Sequence, residues 1–308
     1  MLLENLIEQG PIFSPDIKGG EYTLPSFIET EELYRYMKKY NIKPIKTNWI
    51  VTTSEYEDLL PSALFFKKDN ISSNSVSYIF YRNVKNYNLD IMILVFIPFL
   101  FLYGYVLEKD RGNQIGLIFS QPIKRDKYNM KKHISQAFIL VFALIIVFVF
   151  YFLYALLTDG IGDFNQPIIF YDKLVDTNLI SKINKDYFSL IPIWKYNISL
   201  FFYLALQLIF ISSIGLFTSI FVKERKYVFA STLIIIVLGI FFSQYLPDYI
   251  KVYSPFIHLK AGDIVNGAIR IKNKLINYKF YHSIISLISS TLLTYFASCF
   301  IIKRKDVV

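Results

Sequence analysis

The sequence predicts an all-α polytopic membrane protein, with five transmembrane helices in this chain, a sixth in the complete protein and a small extracellular N-terminal region. Of the 308 residues, 54% are apolar, and Phe and Tyr alone contribute 29 and 24. The apolar residues gather in five runs, each long enough for a helix to cross the ~30 Å apolar core of a bilayer at ~1.5 Å per residue. Lys and Arg concentrate in alternate connections between these runs, as they do in the cytoplasmic loops of membrane proteins.

The N-terminal region, residues 1–88, is polar and contains no apolar run of membrane length. We expect a helix over residues 31–40, because Thr30 is a favourable N-cap, two glutamates follow it, and apolar residues then recur at helical spacing. Asn48–Thr53 and Ser75–Tyr81 are rich in β-branched and aromatic residues, which predicts two strands. Residues 1–88 are therefore predicted to form a small folded region.

The five predicted transmembrane helices follow, and residues 89–308 are interpreted as one transmembrane domain. The apolar runs are Leu89–Leu107, Ile134–Leu157, Ile198–Val222, Val228–Leu246 and Ser283–Ile302. Pro98 lies inside the first run and cannot donate a backbone hydrogen bond, so we expect a kink there. Between the last two runs, Ala261–Ile276 has apolar residues at helical spacing, which predicts a helix that lies on the outer membrane interface or dips into it.

The distribution of Lys and Arg predicts the orientation. Three connections are rich in these residues, with seven, three and three of them: residues 108–132, 223–227 and 303–308. The loops 158–197 and 247–282 hold four and six in roughly twice the total length. The positive-inside rule therefore places the three basic connections in the cytoplasm and residues 1–88 outside the cell. Because no apolar segment precedes this external region, we expect a spanning helix upstream of this chain; the alternative is direct insertion of five helices with the N-terminus outside.

The sequence lacks the usual catalytic and metal-binding patterns. Its three histidines have no second His or carboxylate at metal-ligand spacing, and its single cysteine, Cys299, excludes a disulfide within the chain. There is no G-x-x-x-x-G-K-[ST], so the chain does not bind ATP through a P-loop. The net charge of +9 is spread over loops rather than over a basic helix face, so nucleic acid is not an expected partner. We predict no catalytic residue, no metal and no cofactor.

The apolar runs carry small polar residues rather than charges. No Lys, Arg, Glu or His lies in the middle of a run, and Asp90 stands at the outer end of the first, which argues against an ion-coupled carrier. Four hydroxyl residues recur every four positions on one face of the last helix: Ser286, Ser290, Thr294 and Ser298. Such a face suits either close helix packing or the lining of a transport pathway.

The basic segment between the first two runs carries a motif. Its residues are Glu108-x3-Gly112-x4-Leu117-x2-Ser120-x-Pro122-x-Lys124-Arg125. This pattern resembles E-x3-G-x4-L-x2-[ST]-x-P-x-[ST]-R, the cytoplasmic coupling helix of ABC-2 type transporter permeases, and departs from it at Lys124, where a small hydroxyl residue is more usual. Tyr253–Gly267 is also similar to the outer segment before the last helix of that family. The resemblance covers about residues 89–305.

Each motif residue type has a physical reason. Glu108 ends a span at the membrane face, and Gly112 permits a turn. Leu117 and its apolar neighbours offer a patch to the groove of a partner. Pro122 stops the helix, and Arg125 with Lys124 can bind carboxylates or lipid phosphates. The alternative is an ordinary basic loop at the membrane surface.

The resemblance implies the membrane-spanning permease subunit of an ATP-driven ABC exporter in the bacterial cell membrane. Two such subunits would pair with two separate ATPase subunits, which would hydrolyse ATP and act on this chain through the cytoplasmic segment 108–132. The apolar interior suggests an amphipathic or lipophilic cargo, such as a peptide or an antibiotic, and membrane lipid surrounds the protein. The alternative function is a membrane-anchored sensor or immunity protein, in which residues 1–88 bind an extracellular ligand without transport.

Overall fold

The computed structural model describes residues 24–42, 75–102, 105–106, 125–174, 187–222, 224–275 and 278–304, and it is mostly helical (76%). The helices are α1 (Leu24–Lys39), α2 (Ile79–Tyr87), α3 (Leu89–Phe101), α4 (Arg125–Thr158), α5 (Ile193–Ser219), α6 (Arg225–Gln244), α7 (Asp248–Lys251), α8 (Ala261–Val265), α9 (Ile269–Lys272) and α10 (Phe280–Arg304). A 3-10 helix spans Pro255–Leu259, and two strands, β1 (Pro167–Tyr171) and β2 (Phe188–Pro192), form a hairpin.

Four helices in the described part of the chain, α4, α5, α6 and α10, are long and apolar enough to cross a membrane. The pair α2 and α3 makes a fifth candidate if it is counted as one span with an 88° bend. The coarse prediction of a helical chain with several membrane-length helices is therefore confirmed. α4 begins nine residues before its predicted apolar run, because the polar stretch Arg125–His133 continues the same helix.

α5 lies at the centre of the helical assembly. Of its most apolar 18 residues 72% are buried, against 17–22% in α4, α6 and α10. Its neighbours are α10, α4, α6, α3 and α8. At Gly215 a side chain would collide with Leu102, since an added Cβ would lie 2.5 Å from the Leu102 methyl carbons. Small residues on α5 thus allow its neighbours to approach closely.

The predicted strand Ser75–Tyr81 is wrong. The carbonyl oxygen of Ser75 accepts hydrogen bonds from the N–H groups of Tyr78 and Ile79 (3.0 and 2.9 Å), which starts the helical turn that leads into α2. The β-branched and aromatic residues of this stretch bury one face of a helix instead, with Phe80 and Val84 four positions apart. The predicted strand Asn48–Thr53 lies outside the described residues.

A sharp bend joins α2 to α3. Asn88 adopts the left-handed conformation (φ 49°, ψ 46°), which asparagine tolerates better than most residues, and the two helix axes diverge by 88°. α3 then ends at Phe101, six residues before the predicted end of the run, and Leu102 is extended. Pro98 lies one turn before this end, so the expected disturbance is a helix termination rather than a kink within a longer helix.

An outer layer of irregular structure covers the end of the helices at which α2 lies. The sequence did not predict the β1–β2 hairpin, whose antiparallel register pairs Pro167 with Pro192 and Tyr171 with Phe188. α1 packs on β1, and the hydroxyl of Tyr171 donates to Oε2 of Glu29 (3.3 Å). α1 begins at Leu24, so Thr30 is inside the helix rather than its N-cap.

The segment between α6 and α10 is folded into this layer. The single interfacial helix predicted over Ala261–Ile276 is in fact two short helices, α8 and α9, separated by Gly267 at φ +78°. Both are largely buried, and α8 packs against α3, α5 and α10. We call residues 247–279 the outer segment. The apolar residues of α8 and α9 therefore face protein rather than a membrane surface.

Candidate functional site

The described residues next to the three connections predicted to be cytoplasmic lie at one end of the helical assembly, which we call the basic end. Lys303 pairs with Asp126 at 2.9 Å, and Nη1 of Arg125 donates to the carbonyl oxygen of Ile302 at 3.3 Å, so the start of α4 is joined to the end of α10. At the start of α6, Arg225 donates to the carbonyl oxygen of Phe99 at 2.8 Å, near the end of α3. The basic end thus contains the end of α3 and the start of α4, the two helices on either side of the motif.

A buried polar cluster lies just inside the basic end. The hydroxyl of Tyr105 donates to Oδ1 of Asn129, and Nδ2 of Asn129 donates to the sulfur of Cys299 at 3.0 Å. The backbone N–H of Tyr105 donates to Oγ of Ser219 at 3.1 Å. These bonds join the residues that precede the motif to α4, α5 and α10. Displacement of this stretch would therefore strain contacts with three spanning helices.

Of the predicted coupling residues, Arg125 is the one in the described part of the chain, where it begins α4. The others lie outside the described residues: Glu108, Gly112, Leu117, Ser120, Pro122 and Lys124. Their assignment to an ATPase-coupling segment remains a prediction from the sequence.

The hydroxyl face of α10 is used for local and interhelical hydrogen bonds. Ser286 is buried and donates to the carbonyl oxygen of Tyr253 at 2.6 Å, which holds the outer segment to α10. Ser298 is buried and donates to the carbonyl oxygen of Thr294 at 2.8 Å, while Thr294 itself donates to that of Ser290 at 3.0 Å. None of the four lines either of the two cavities described next.

An apolar cavity of about 360 Å³ lies between α3, α5 and α6. Its walls are aliphatic and aromatic along almost the whole of α6, from Phe229 near the basic end to Ile240. Phe256 and Leu259 of the 3-10 helix close its outer end. Three polar side chains stand at this outer end: Gln244, Lys260 and Asn273. The cavity is thus apolar along its length and polar at one end. Sequence reasoning did not predict it.

A small polar pocket of about 60 Å³ adjoins the outer end of the apolar cavity, and Lys260 lines both. Its walls come from α2, the Asn88 bend, α5 and the outer segment. Three lysines line it, Lys85, Lys260 and Lys272, together with the carboxylate of Asp263. Asp263 pairs with Lys260 at 3.4 Å and with Lys272 at 2.9 Å. One carboxylate therefore serves two ammonium groups in this pocket.

A buried carboxylate fastens the outer segment to the bend. Asp90, which the sequence places at the outer end of the first apolar run, is fully buried. Its Oδ2 accepts from the backbone N–H of Gly262 at 2.9 Å and its Oδ1 from that of Ile91 at 3.0 Å. Backbone donors at the starts of α8 and α3 thus compensate the cost of burying this group. Gly262 is 172 residues away from Asp90 along the chain, so no local sequence pattern indicates this contact.

His258 anchors the 3-10 helix to α5. Its carbonyl oxygen accepts from the hydroxyl of Tyr203 at 3.1 Å and from Nε2 of Gln207 at 2.6 Å. Its ring Nε2 lies 2.7 Å from the carbonyl oxygen of Val252, which can only accept, so Nε2 carries the proton. Burial lowers the pKa of His258 to about 4, and the ring is therefore neutral at pH 7. This histidine has a structural role.

Among the described residues, no group of three or more His, Cys, Asp and Glu side chains could hold a metal ion. The features that sequence reasoning missed are the two cavities and the Asp90 contact. The one sequence signal for them is the set of charged residues Lys260, Asp263 and Lys272, whose spacing does not indicate a pocket. Comparison with protein-family models, with curated proteins and with solved structures finds no match to this chain.

Proposed function

We propose that this chain is the membrane-spanning permease subunit of an ATP-driven exporter of the ABC type. In this proposal a separate ATPase subunit binds the cytoplasmic segment 108–132, and two permease subunits assemble in a bacterial cell membrane. The chain itself hydrolyses no ATP. The support from the sequence is the motif from Glu108 to Arg125 and the density of Lys and Arg around it.

The observation that carries the proposal is the set of contacts at the basic end. Before the segment, Tyr105 donates a hydrogen bond to Ser219 of α5, and Val106 packs in an apolar cluster with Val228 of α6. At the start of α4, Arg125 donates to the carbonyl oxygen of Ile302 in α10. A partner that displaces the segment would therefore move α4 and α10 rather than a free loop. This connection is what a coupling element requires.

The apolar cavity supports the choice of cargo class. Ligand sites are typically concave, mostly apolar and about 300–1,000 Å³ in volume, with a few polar groups that orient the ligand. The cavity between α3, α5 and α6 meets each criterion, with a volume of about 360 Å³. An amphipathic or lipophilic cargo, such as a peptide or an antibiotic, fits these walls better than a hydrophilic solute would.

Replacement of Leu117 by Asp tests the proposal. A charge placed in a desolvated apolar contact costs several kcal/mol when it finds no partner, and about 1.4 kcal/mol corresponds to a factor of ten in affinity. We expect association with the ATPase subunit to weaken at least tenfold. The measurement is co-purification with that ATPase from membranes, followed by the affinity of the purified subunits in lipid nanodiscs.

The matched control is Lys127→Gln, which removes an exposed charge on the first turn of α4. Isolated surface charges usually contribute less than about 1 kcal/mol, so this variant should bind the ATPase as the parent does. Glu108→Gln should retain assembly and weaken the stimulation of ATP hydrolysis by cargo. If Leu117→Asp binds and stimulates the ATPase like the parent, segment 108–132 is an ordinary basic loop and the proposal loses its main support.

A further inference from the structure

The apolar cavity and the polar pocket meet at Lys260, whose side chain lines both. We propose that the two together bind one anionic amphipath, with its apolar chain in the cavity and its phosphate or carboxylate head in the pocket. Under the proposed function, the cavity holds the cargo, and this inference specifies the chemical class of that ligand. A role of the ligand in transport therefore rests on the proposed function, whereas its binding to the chain is measured without an ATPase.

The dimensions of the cavity suit a lipid-like chain. Its lining runs along α6 from Phe229 to Gln244, which at ~1.5 Å per residue is about 22 Å. One leaflet of a ~30 Å bilayer core, the space that one acyl chain fills, is about 15 Å deep. Thr232 is a polar residue deep in the cavity, and its hydroxyl donates to the carbonyl oxygen of Val228 at 2.8 Å. The wall below the outer end therefore presents apolar atoms to a ligand.

The charge of the polar pocket selects an anion. Three lysines line it, against the carboxylates of Asp263 in the lining and of Asp90 behind Gly262, so positive charges exceed negative ones by three to two. Ammonium groups held near a shared carboxylate can turn to an additional anionic oxygen, because each carries three N–H donors. The pocket volume of about 60 Å³ suits a single phosphate or carboxylate group.

The pocket lies at the start of α3, where a spanning helix would reach the level of the lipid head groups. It lies at the Asn88 bend, where α2 turns by 88° from the direction of α3. α2 places Phe80 and Val84 against the protein and brings Lys85 to the pocket. A ligand that extends from this level into the cavity keeps its head at the interface and its chain at the depth of the spanning helices.

The test measures binding of two probes with the same 16-carbon chain to the full chain in detergent. One is palmitoyl lysophosphatidylglycerol, which is anionic, and the other is palmitoyl lysophosphatidylcholine, which has no net charge. We expect the anionic probe to bind at least tenfold more tightly. Lys260→Gln should remove most of this preference, whereas Lys226→Gln, which changes an exposed lysine at the basic end, should leave it intact.

Two tryptophan variants of α6 test the position of the chain. Leu233 lines the cavity, and Leu233→Trp should weaken binding of the anionic probe at least tenfold. Leu238 is exposed on the same helix and does not line the cavity, so Leu238→Trp should bind like the parent. Equal binding of both probes, or equal binding by both tryptophan variants, would overturn the inference even if the ATPase association described above were found.

The source of the ligand is decided by two further measurements on the same preparation. A resident membrane lipid should co-purify, so that mass spectrometry finds an anionic phospholipid that Leu233→Trp loses and Leu238→Trp keeps. An exported cargo should instead leave reconstituted vesicles in an ATP-dependent manner when the ATPase is present. Either result, co-purification of a lipid or ATP-dependent export, is consistent with an anionic amphipath as the ligand of the site. Failure of export with retained probe binding would count against the proposed function and not against the site.

Discussion

Replacement of Arg270 by Met is expected to lower the free energy of unfolding by about 2–5 kcal/mol. Arg270 is buried, and its guanidinium donates from Nε to the carbonyl oxygen of Tyr278 at 3.0 Å and from Nη1 to that of Tyr171 at 2.6 Å. The ring centroids of Phe170 and Tyr278 each lie 5.8 Å from the guanidinium carbon. A methionine fills much of the space but leaves both buried carbonyl groups without these donors.

The effect should be specific to the junction between the hairpin and the outer segment. Arg35→Met is the matched control, because Arg35 is 53% exposed and forms a surface ion pair with Glu31, worth less than about 1 kcal/mol. The measurement is denaturant-induced unfolding of the full chain in mixed micelles, under identical conditions for the parent and both variants. Equal destabilisation by the two variants would show that Arg270 does not hold the outer layer in place.

Replacement of Gly267 by Ala is expected to cost about 2–4 kcal/mol. Gly267 has a φ of +78°, which strains residues with a side chain, and an added Cβ would collide with the carbonyl oxygen of Tyr171. Neither backbone can move freely, since the N–H of Tyr171 donates to the carbonyl oxygen of Asn266 at 2.9 Å. The variant should therefore separate β1 from the outer segment.

Gly160→Ala is the control that isolates the collision. Gly160 has a φ of +75°, but no atom of another part of the protein lies within 4 Å of a Cβ added there. Its cost should be limited to the left-handed conformation, about 1–2 kcal/mol. The difference in unfolding free energy between the two variants measures the cost of the collision between the added Cβ and the carbonyl oxygen of Tyr171. A difference near zero would contradict the described packing of Gly267 on Tyr171.

The sequence predicted the spanning helices because their signal is local. α5, for example, is recognisable from the apolar run Ile198–Val222, since length and composition suffice to identify a membrane-length helix. Its start at Ile193 was missed because Trp194 and Lys195 extend the helix beyond the run. Boundaries depend on such flanking residues, which carry no hydropathy signal.

The outer layer and both cavities depend on contacts between distant residues. The β1–β2 hairpin had a signal in the short apolar stretch Pro167–Tyr171, but its partner strand begins seventeen residues after Tyr171, at Phe188. The Asp90 contact needs Gly262, and the apolar cavity exists because α3 and α6 stand apart where both touch α5. No local pattern contains this information, so the candidate ligand site could be found only from the fold.

Segment 108–132 is proposed to face the cytoplasm and to bind an ATPase. A photo-crosslinking amino acid placed at Leu117 in intact cells, with one at Tyr249 as control, tests it most directly, because Tyr249 is 74% exposed on α7 in the outer segment. We predict that position 117 crosslinks to a protein with a P-loop, identified by mass spectrometry, and that position 249 does not. If position 117 crosslinks to no P-loop protein, or a cysteine placed there reacts with an impermeant reagent from outside the cell, the account is contradicted.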